Sequence, residues 1–429
     1  MLGTMQRAAG QVLATAAVLA AMSVPSASNA APLRLQAAGD PAELAAFKEL
    51  LTAFKGVAPD VEVEFIPVGK TRDHMAKLAT GFAAGDAPDL FLINFRRFGQ
   101  FATKGVLEPL GPALAKRGKF READYYEPAN EAFRQDGALM CVPSNVSSLV
   151  VFYNLALLKK AGLPPPPADW TWSDFQRYAK AMTEAPKADG RIDVYGFGVE
   201  RLMIRAAPLV WSAGGDIVDN LNAPTRLTLD TPQAVEALDF MRSFLINKHS
   251  PPLAESKSED YEARFARGAL GMTLNSRRFV AILRGVPGID WDVAPLPRNK
   301  QAVTVLHSDG YCMSKASTNK EAAYRFMEFA AGPVGSAVLA RTGRTVPALK
   351  SVAAGPDFLD PKQLPKSAKV FLDVLANVRR TPNVAVWNEI ETRSDALFED
   401  WYFNPQQSTQ SLAKALDEAT RGIFASGGK

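Results

Sequence analysis

Residues 81–110, GFAAGDAPDLFLINFRRFGQFATKGVLEPL, read as helix end, turn, buried strand, helix and helix stop within thirty residues. Gly85-Asp86-Ala87-Pro88 breaks the preceding helix, and Leu90 to Ile93 is a short apolar run between turn signals, as expected of a strand covered on both faces. Asn94, Arg96 and Arg97 fall at that strand's carboxyl end. Ligands bind in the crevice outside the carboxyl ends of strands in open α/β sheets, so these three form a candidate recognition edge. Each reads equally well as part of a solvated loop.

Outward from this stretch the pattern of strand then helix repeats. Asp40-Pro41 opens a helix as cap and first-turn proline, Leu44, Phe47, Leu51 and Phe54 keep helical spacing, and Gly56 closes it. Val61, Val63 and Phe65 alternate with Glu62 and Glu64, a strand with one wet face. Leu149 to Tyr153 is a second apolar strand. Thr171 with Asp174, and Thr318 with Glu321, have the spacing of helix-opening capping boxes, and Thr231-Pro232 opens another helix. The class is α/β with a mainly parallel sheet.

The composition is that of an ordinary globular chain large enough for two domains: 429 residues, 47% hydrophobic and 22% charged. Residues 1–30 carry one charge, Arg7, then an apolar run from Val12 to Val24 and the small-residue end Ser26-Ala27-Ser28-Asn29-Ala30. That is a secretory signal peptide cleaved after Ala30, and it predicts an exported, periplasmic protein. Removing Arg7 from the net charge of +4 leaves +3, and no basic run is interleaved with aromatics, so no nucleic-acid partner is expected. With two cysteines and three widely spaced histidines there is no metal-ligand spacing, and no cofactor is expected. The chain has no H-E-x-x-H, no G-x-S-x-G and no phosphate-loop lysine.

The quoted stretch is similar to the sugar-type extracellular solute-binding proteins, the maltose-binding-protein-like receptors of carbohydrate ABC importers, which carry Gly-Asp-x-Pro-Asp, a strand and Gly-x-Leu-Glu-Pro-Leu. The similarity continues in family order through VPSNVSSLVVFYNLALLKKAG from Val142, DWTWSDF from Asp169, YGFG from Tyr195 and WSAGGDIVD from Trp211. FARGALGMTLNS from Phe265, WDVAPLP from Trp291 and SKASTNKEAAYRFMEFAAG from Ser314 complete it.

The resemblance implies an α/β, two-lobed periplasmic-binding-protein fold with a hinge between the lobes. Residues 31–141 and 308–359 would form lobe one, and 142–307 and 360–429 lobe two. The chain would cross near Cys141 to Asn145 and return near His307 to Met313. On those neighbouring segments Cys141 and Cys312 are either a disulfide or a pair of buried thiols. By the same resemblance, Lys70 and Asp73 join Asn94, Arg96 and Arg97 as ligand-binding residues of lobe one, while Ser144 and Asn145 sit at the first crossing and His307 and Asp309 at the second. Trp211, Asn275, Arg277 and Arg278 belong to lobe two, Arg344 and Thr345 follow a later helix, and Trp387 matches an aromatic of the last helices. Trp211 reads equally as core packing. Of the adjacent arginines one points away, and Arg278 is the expected contact.

Where maltose-type receptors have Asn-Gly-Pro and a stacking tryptophan, this chain has Asn275-Ser276-Arg277-Arg278, and where many relatives have Gly-Gly at the second crossing it has His307-Ser308. These departures argue against a plain maltodextrin and leave sugar binding intact, since an arginine fork bonds several hydroxyls. The expected function is that of a monomeric, non-enzymatic receptor that captures a sugar or sugar derivative between its lobes and delivers it to inner-membrane ABC permease subunits. Two alternatives stand beside it: a receptor for an anionic solute (a sugar acid, a sulfonated sugar or a glycerophosphodiester) and, in another class, a secreted glycoside-acting enzyme with distant carboxylates.

Overall fold

The apolar run at Leu90 becomes a strand because Gly85 takes a left-handed conformation that ends the helix before it, and Asn94 caps the helix after it by accepting from the Arg96 N–H. In the computed structural model, which describes residues 31–427, this strand is the centre of a five-stranded sheet. The expected leader lies outside the described residues.

The strands that frame the site are, in chain order, Leu33–Ala38 (β1), Val63–Val68 (β2), Leu90–Asn94 (β3), Cys141–Pro143 (β4), Ser147–Ser148 (β5), Val150–Asn154 (β6), Tyr195–Gly198 (β7), Leu270–Asn275 (β8), Trp291–Ala294 (β9), Thr304–His307 (β10), Asp309–Met313 (β11) and Val378–Arg379 (β12). The first sheet has the order β2-β1-β3-β11-β4, with β1 parallel to β2 and β3, and β11 antiparallel to β3 and β4. The second has the order β9-β6-β8-β7, with β6 antiparallel to both neighbours. Between them β5 and β10 pair antiparallel, Leu306 opposite Ser148 and His307 opposite Ser147, and β12 joins β10. The chain thus leaves the first sheet after Pro143, enters the second at Val150, and returns from Thr304 to Asp309.

Helices cover the sheets: Pro41–Val57 (α1), Thr71–Ala84 (α2), Phe95–Ala102 (α3), Trp172–Met182 (α4), Met203–Ser212 (α5), Arg278–Arg284 (α6), Lys320–Ala331 (α7) and Trp387–Phe403 (α8). Asp40 caps α1 by accepting from the Glu43 N–H at 3.0 Å. Thr171 and Asp174 form the expected capping box of α4. The box expected at Thr318 and Glu321 does not form. Helix α7 starts at Lys320 with Asn319 in the cap position, and the Asn319 side chain is drawn off to Asp89 and the Pro32 carbonyl instead.

Successive side chains of β6 leave on opposite faces. Val150 and Phe152 join a core shared with the first sheet's helices, while Val151 and Tyr153 join a second core containing Trp211, Trp387 and Trp401. In the first sheet, Cys141 of β4 lies directly opposite Cys312 of β11, and the two form a disulfide.

Candidate functional site

The carboxyl ends of β1 and β3 meet the loop after β8 and the start of α5 around a cavity of about 460 Å³. The crossing segments supply its back through Asn145, Ser147 and His307, and α8 contributes Asn388, Glu391, Thr392 and Asp395. The wall therefore takes groups from both sheets.

Nine of the sixteen residues expected to bind ligand line this cavity: Asn94, Arg96, Arg97, Asn145, Arg278, His307, Asp309, Arg344 and Thr345. The other seven do not, each for a physical reason. On α2 the face shared by Thr71, His74 and Met75 turns to the cavity, leaving Lys70 and Asp73 exposed outside it. Ser144 is buried and takes no part in the lining. Trp211 is sealed in the second core, its indole N–H donating to Asp216 at 3.0 Å and the Arg379 guanidinium lying over its ring. Asn275 donates to Glu262 at 2.7 Å and faces a neighbouring recess of about 350 Å³. Arg277 is fully buried, its guanidinium between the rings of Phe358 and Phe371, and burial together with Arg284 lowers its pKa to about 9. Trp387 is also buried, and its indole N–H donates to Glu391 at 3.1 Å. It steadies a wall residue rather than forming the wall.

Five charged wall residues were missed: Glu43, Glu200, Arg205, Glu391 and Asp395. Only Arg205 carried a signal, as the lone charge in the apolar helix MIRAAPLVWS.

Most wall arginines are held by carboxylates. Arg96 bonds Glu391 at 2.9 and 3.1 Å. Arg205 bonds one oxygen of Glu200 through Nε at 2.9 Å and Nη2 at 2.6 Å. Arg344 bridges Asp40 at 2.6 Å and Glu43 at 2.7 Å. Arg278 pairs with Glu262. Arg97 makes no ion pair among the described residues, and burial followed by the charge of Arg96 lowers its pKa. Asp309 is gripped on one oxygen by the Asn94 amide at 3.0 Å and on the other by the Asn145 amide at 2.8 Å.

Burial dominates the titration of the site. It raises Glu43 to about 7 against the opposing pull of Arg344, and raises Asp395 to about 7, the Met203 N–H that Asp395 accepts opposing it and Glu391 adding to it. His307 is held well below its ordinary value by burial and then by Arg96, Arg205 and Arg278, so its imidazole is neutral. His74, accepting from Gln36 at 2.9 Å and donating to the Leu92 carbonyl at 2.9 Å, is lowered to about 4, first by burial. Among the described residues no group of three or more His, Cys, Asp or Glu is placed to hold a metal ion.

Residues 38–337 match the model of the bacterial extracellular solute-binding proteins. The chain belongs to that family. This solute-binding protein is 26% identical over 384 residues to a binding protein of Brucella abortus strain 2308, covering 87% of this chain and 88% of the relative. It is 23% identical over 352 residues to the galactooligosaccharide-binding protein of Bacillus subtilis strain 168, covering 80% and 78% of the two chains. Among solved structures, the ABC substrate-binding protein Lmo0181 from Listeria monocytogenes in complex with cycloalternan superposes with a TM-score of 0.82 at 27% identity, covering 91% of this chain and 98% of that one. The two sheets and their crossings are those of the two-lobed periplasmic-binding-protein fold.

Proposed function

We propose that this chain is the substrate receptor of a carbohydrate ABC importer, exported to the periplasm by a cleaved leader, acting as a monomer without catalysis and delivering a sugar or sugar derivative to inner-membrane permease subunits. The observation that carries this reading is a polar cavity whose donors and acceptors come from both sheets and from the crossing strands. A solute bound there gains contacts in the closed state that the open state lacks, so binding raises the closed population. A shift from 1:99 to 99:1 takes about 5.5 kcal/mol of differential affinity, which four to six hydrogen bonds at roughly 1 kcal/mol each supply. Asn94, Arg96, Arg97 and Asp309 bind from the side of the first sheet, and Arg205 and Arg278 from the side of the second. Two relatives with saccharide ligands in their names, the galactooligosaccharide-binding protein and the cycloalternan complex, support the solute class.

The test is a thermal-shift screen of mono- and oligosaccharides, followed by small-angle scattering with the best stabiliser. A saccharide that raises the unfolding midpoint and lowers the radius of gyration is the expected result. Unchanged scattering at saturation would count against closure.

A further inference from the structure

Among the described residues no Phe, Tyr or Trp lines the cavity, so a sugar ring has no aromatic face to stack on there and recognition falls to hydrogen bonds and charge. The charges gather at one place. Arg96 from α3, Arg205 from α5 and Arg278 from α6 all bear on His307, and all four residues line the cavity. Each guanidinium is fixed by its own carboxylate, Glu391, Glu200 and Glu262 respectively, so the cluster is held ready before any solute arrives.

Arg205 is the member hardest to explain by packing. It is 6% exposed in a helix of otherwise apolar and small residues, and its Nη1 has no hydrogen-bond partner among the described residues. The Nε2 of His307 is buried in the same condition. Burying a guanidinium donor without a partner is unfavourable, and an oxygen of a charged solute group offsets that cost better than a hydroxyl does. Burial raises two carboxyls of the wall, Glu43 and Asp395, to about 7, so neither opposes an oxyanion with a full charge at neutral pH.

We propose that the solute is a sugar bearing an oxyanion (a carboxylate, sulfate or phosphate) and that this group seats on Arg205 and His307, flanked by Arg96 and Arg278. The inference rests on the carbohydrate reading and narrows it. Arg205 becomes the residue that selects acidic over neutral sugars, while Asp309 and Glu43 accept from hydroxyls.

The experiment is calorimetric titration of the parent protein and Arg205→Gln with D-glucose, D-glucuronate, D-galactose, D-galacturonate, glucose 6-phosphate and glucose 6-sulfate, with inorganic phosphate and sulfate alone as further arms. At least one acidic sugar should bind about tenfold or more tighter than its neutral parent, and Arg205→Gln should erase that preference. The double variant Glu200→Gln/Arg205→Gln, which leaves no unpaired carboxylate behind, should lose it equally. Which acid binds separates carboxylate, phosphate and sulfate. A neutral sugar bound as tightly as its acid would overturn the proposal and leave the carbohydrate receptor standing. An acidic sugar bound equally well by the parent and both variants, or no acidic sugar bound at all, would also overturn it. Inorganic phosphate or sulfate bound in place of any sugar, and lost in both variants, would overturn the proposed sugar solute together with the carbohydrate reading and leave only an oxyanion seat.

Discussion

Nη1 of Arg96 donates to both carboxylate oxygens of Glu391, at 3.1 and 2.9 Å, joining residues 295 positions apart in the chain. It ties the helix that follows the central strand of the first sheet to helix α8, where Trp387 donates to the same carboxylate. The pair is only 18% and 7% exposed, so water screens it little and the two groups depend on each other. A double-mutant cycle with Arg96→Met and Glu391→Gln, read by chemical denaturation, should give a coupling of about 1 to 3 kcal/mol. Additive effects would mean that the ion pair contributes nothing to the folded state.

Asp395 provides a pH readout. Its folded pKa is raised from 3.8 to about 7, chiefly by burial, so the folded state holds its proton where the unfolded state has lost it. Stability must then fall as pH rises between those two values, and the loss is complete above the higher one. Against Asp395→Asn, which still accepts from the Met203 N–H, the parent should lose up to roughly 4 kcal/mol between pH 4 and pH 7.5, most plainly in thermal unfolding without solute. A difference independent of pH would show that Asp395 is ionised throughout.

Trp211 and Trp387 should separate cleanly. Trp211→Phe loses a hydrogen bond to Asp216 and part of a buried ring in the second core, outside the cavity lining, and should cost about 1 to 3 kcal/mol of stability with solute affinity unchanged. Trp387→Phe removes the donor that orients Glu391 and should weaken solute binding about three- to tenfold. Equal effects on affinity, measured by calorimetry, would contradict this division.

These two tryptophans also mark where sequence stops short. The edge at Asn94, Arg96 and Arg97 was legible because strand, turn and cap signals fall within a few residues of one another, and the end of a strand locates its own side chains. Family order brought Asn145, His307 and Asp309 to the same place. An indole carries no such address: residue type allowed Trp211 and Trp387 as ring-stacking walls, and only packing shows both in the second core. Glu43, Glu391 and Asp395 were hidden for a related reason, since a carboxylate on an amphipathic helix reads as solvated until a distant arginine or a covering helix is known to lie over it. Arg277 and Arg278 are adjacent, yet one is packed between Phe358 and Phe371 while the other pairs with Glu262 at the cavity. The segment that covers Arg277 lies some eighty residues further on.

The disulfide closes a long loop, Cys141 and Cys312 being separated by 171 residues. Chain-entropy arguments assign such a cross-link about 5 kcal/mol, with measured losses usually about 2 to 5. Cys141→Ser/Cys312→Ser should lower the unfolding midpoint with little change in solute affinity, because both residues belong to the first sheet. Two titratable thiols in the denatured, unreduced parent would contradict the bond itself.

The account turns on solute capture in the cavity between the two sheets, and Asn145 tests it most directly, because its side chain both donates to and accepts from Asp309 at the back of that cavity. The measurement is calorimetric titration of the parent and Asn145→Ala with the saccharide that most stabilises the parent. The account predicts one saturable site per chain, weakened at least about tenfold in the variant by loss of the Asn145 contact and release of Asp309. Saccharide binding of equal strength in both proteins, or no saccharide binding by the parent, would contradict it.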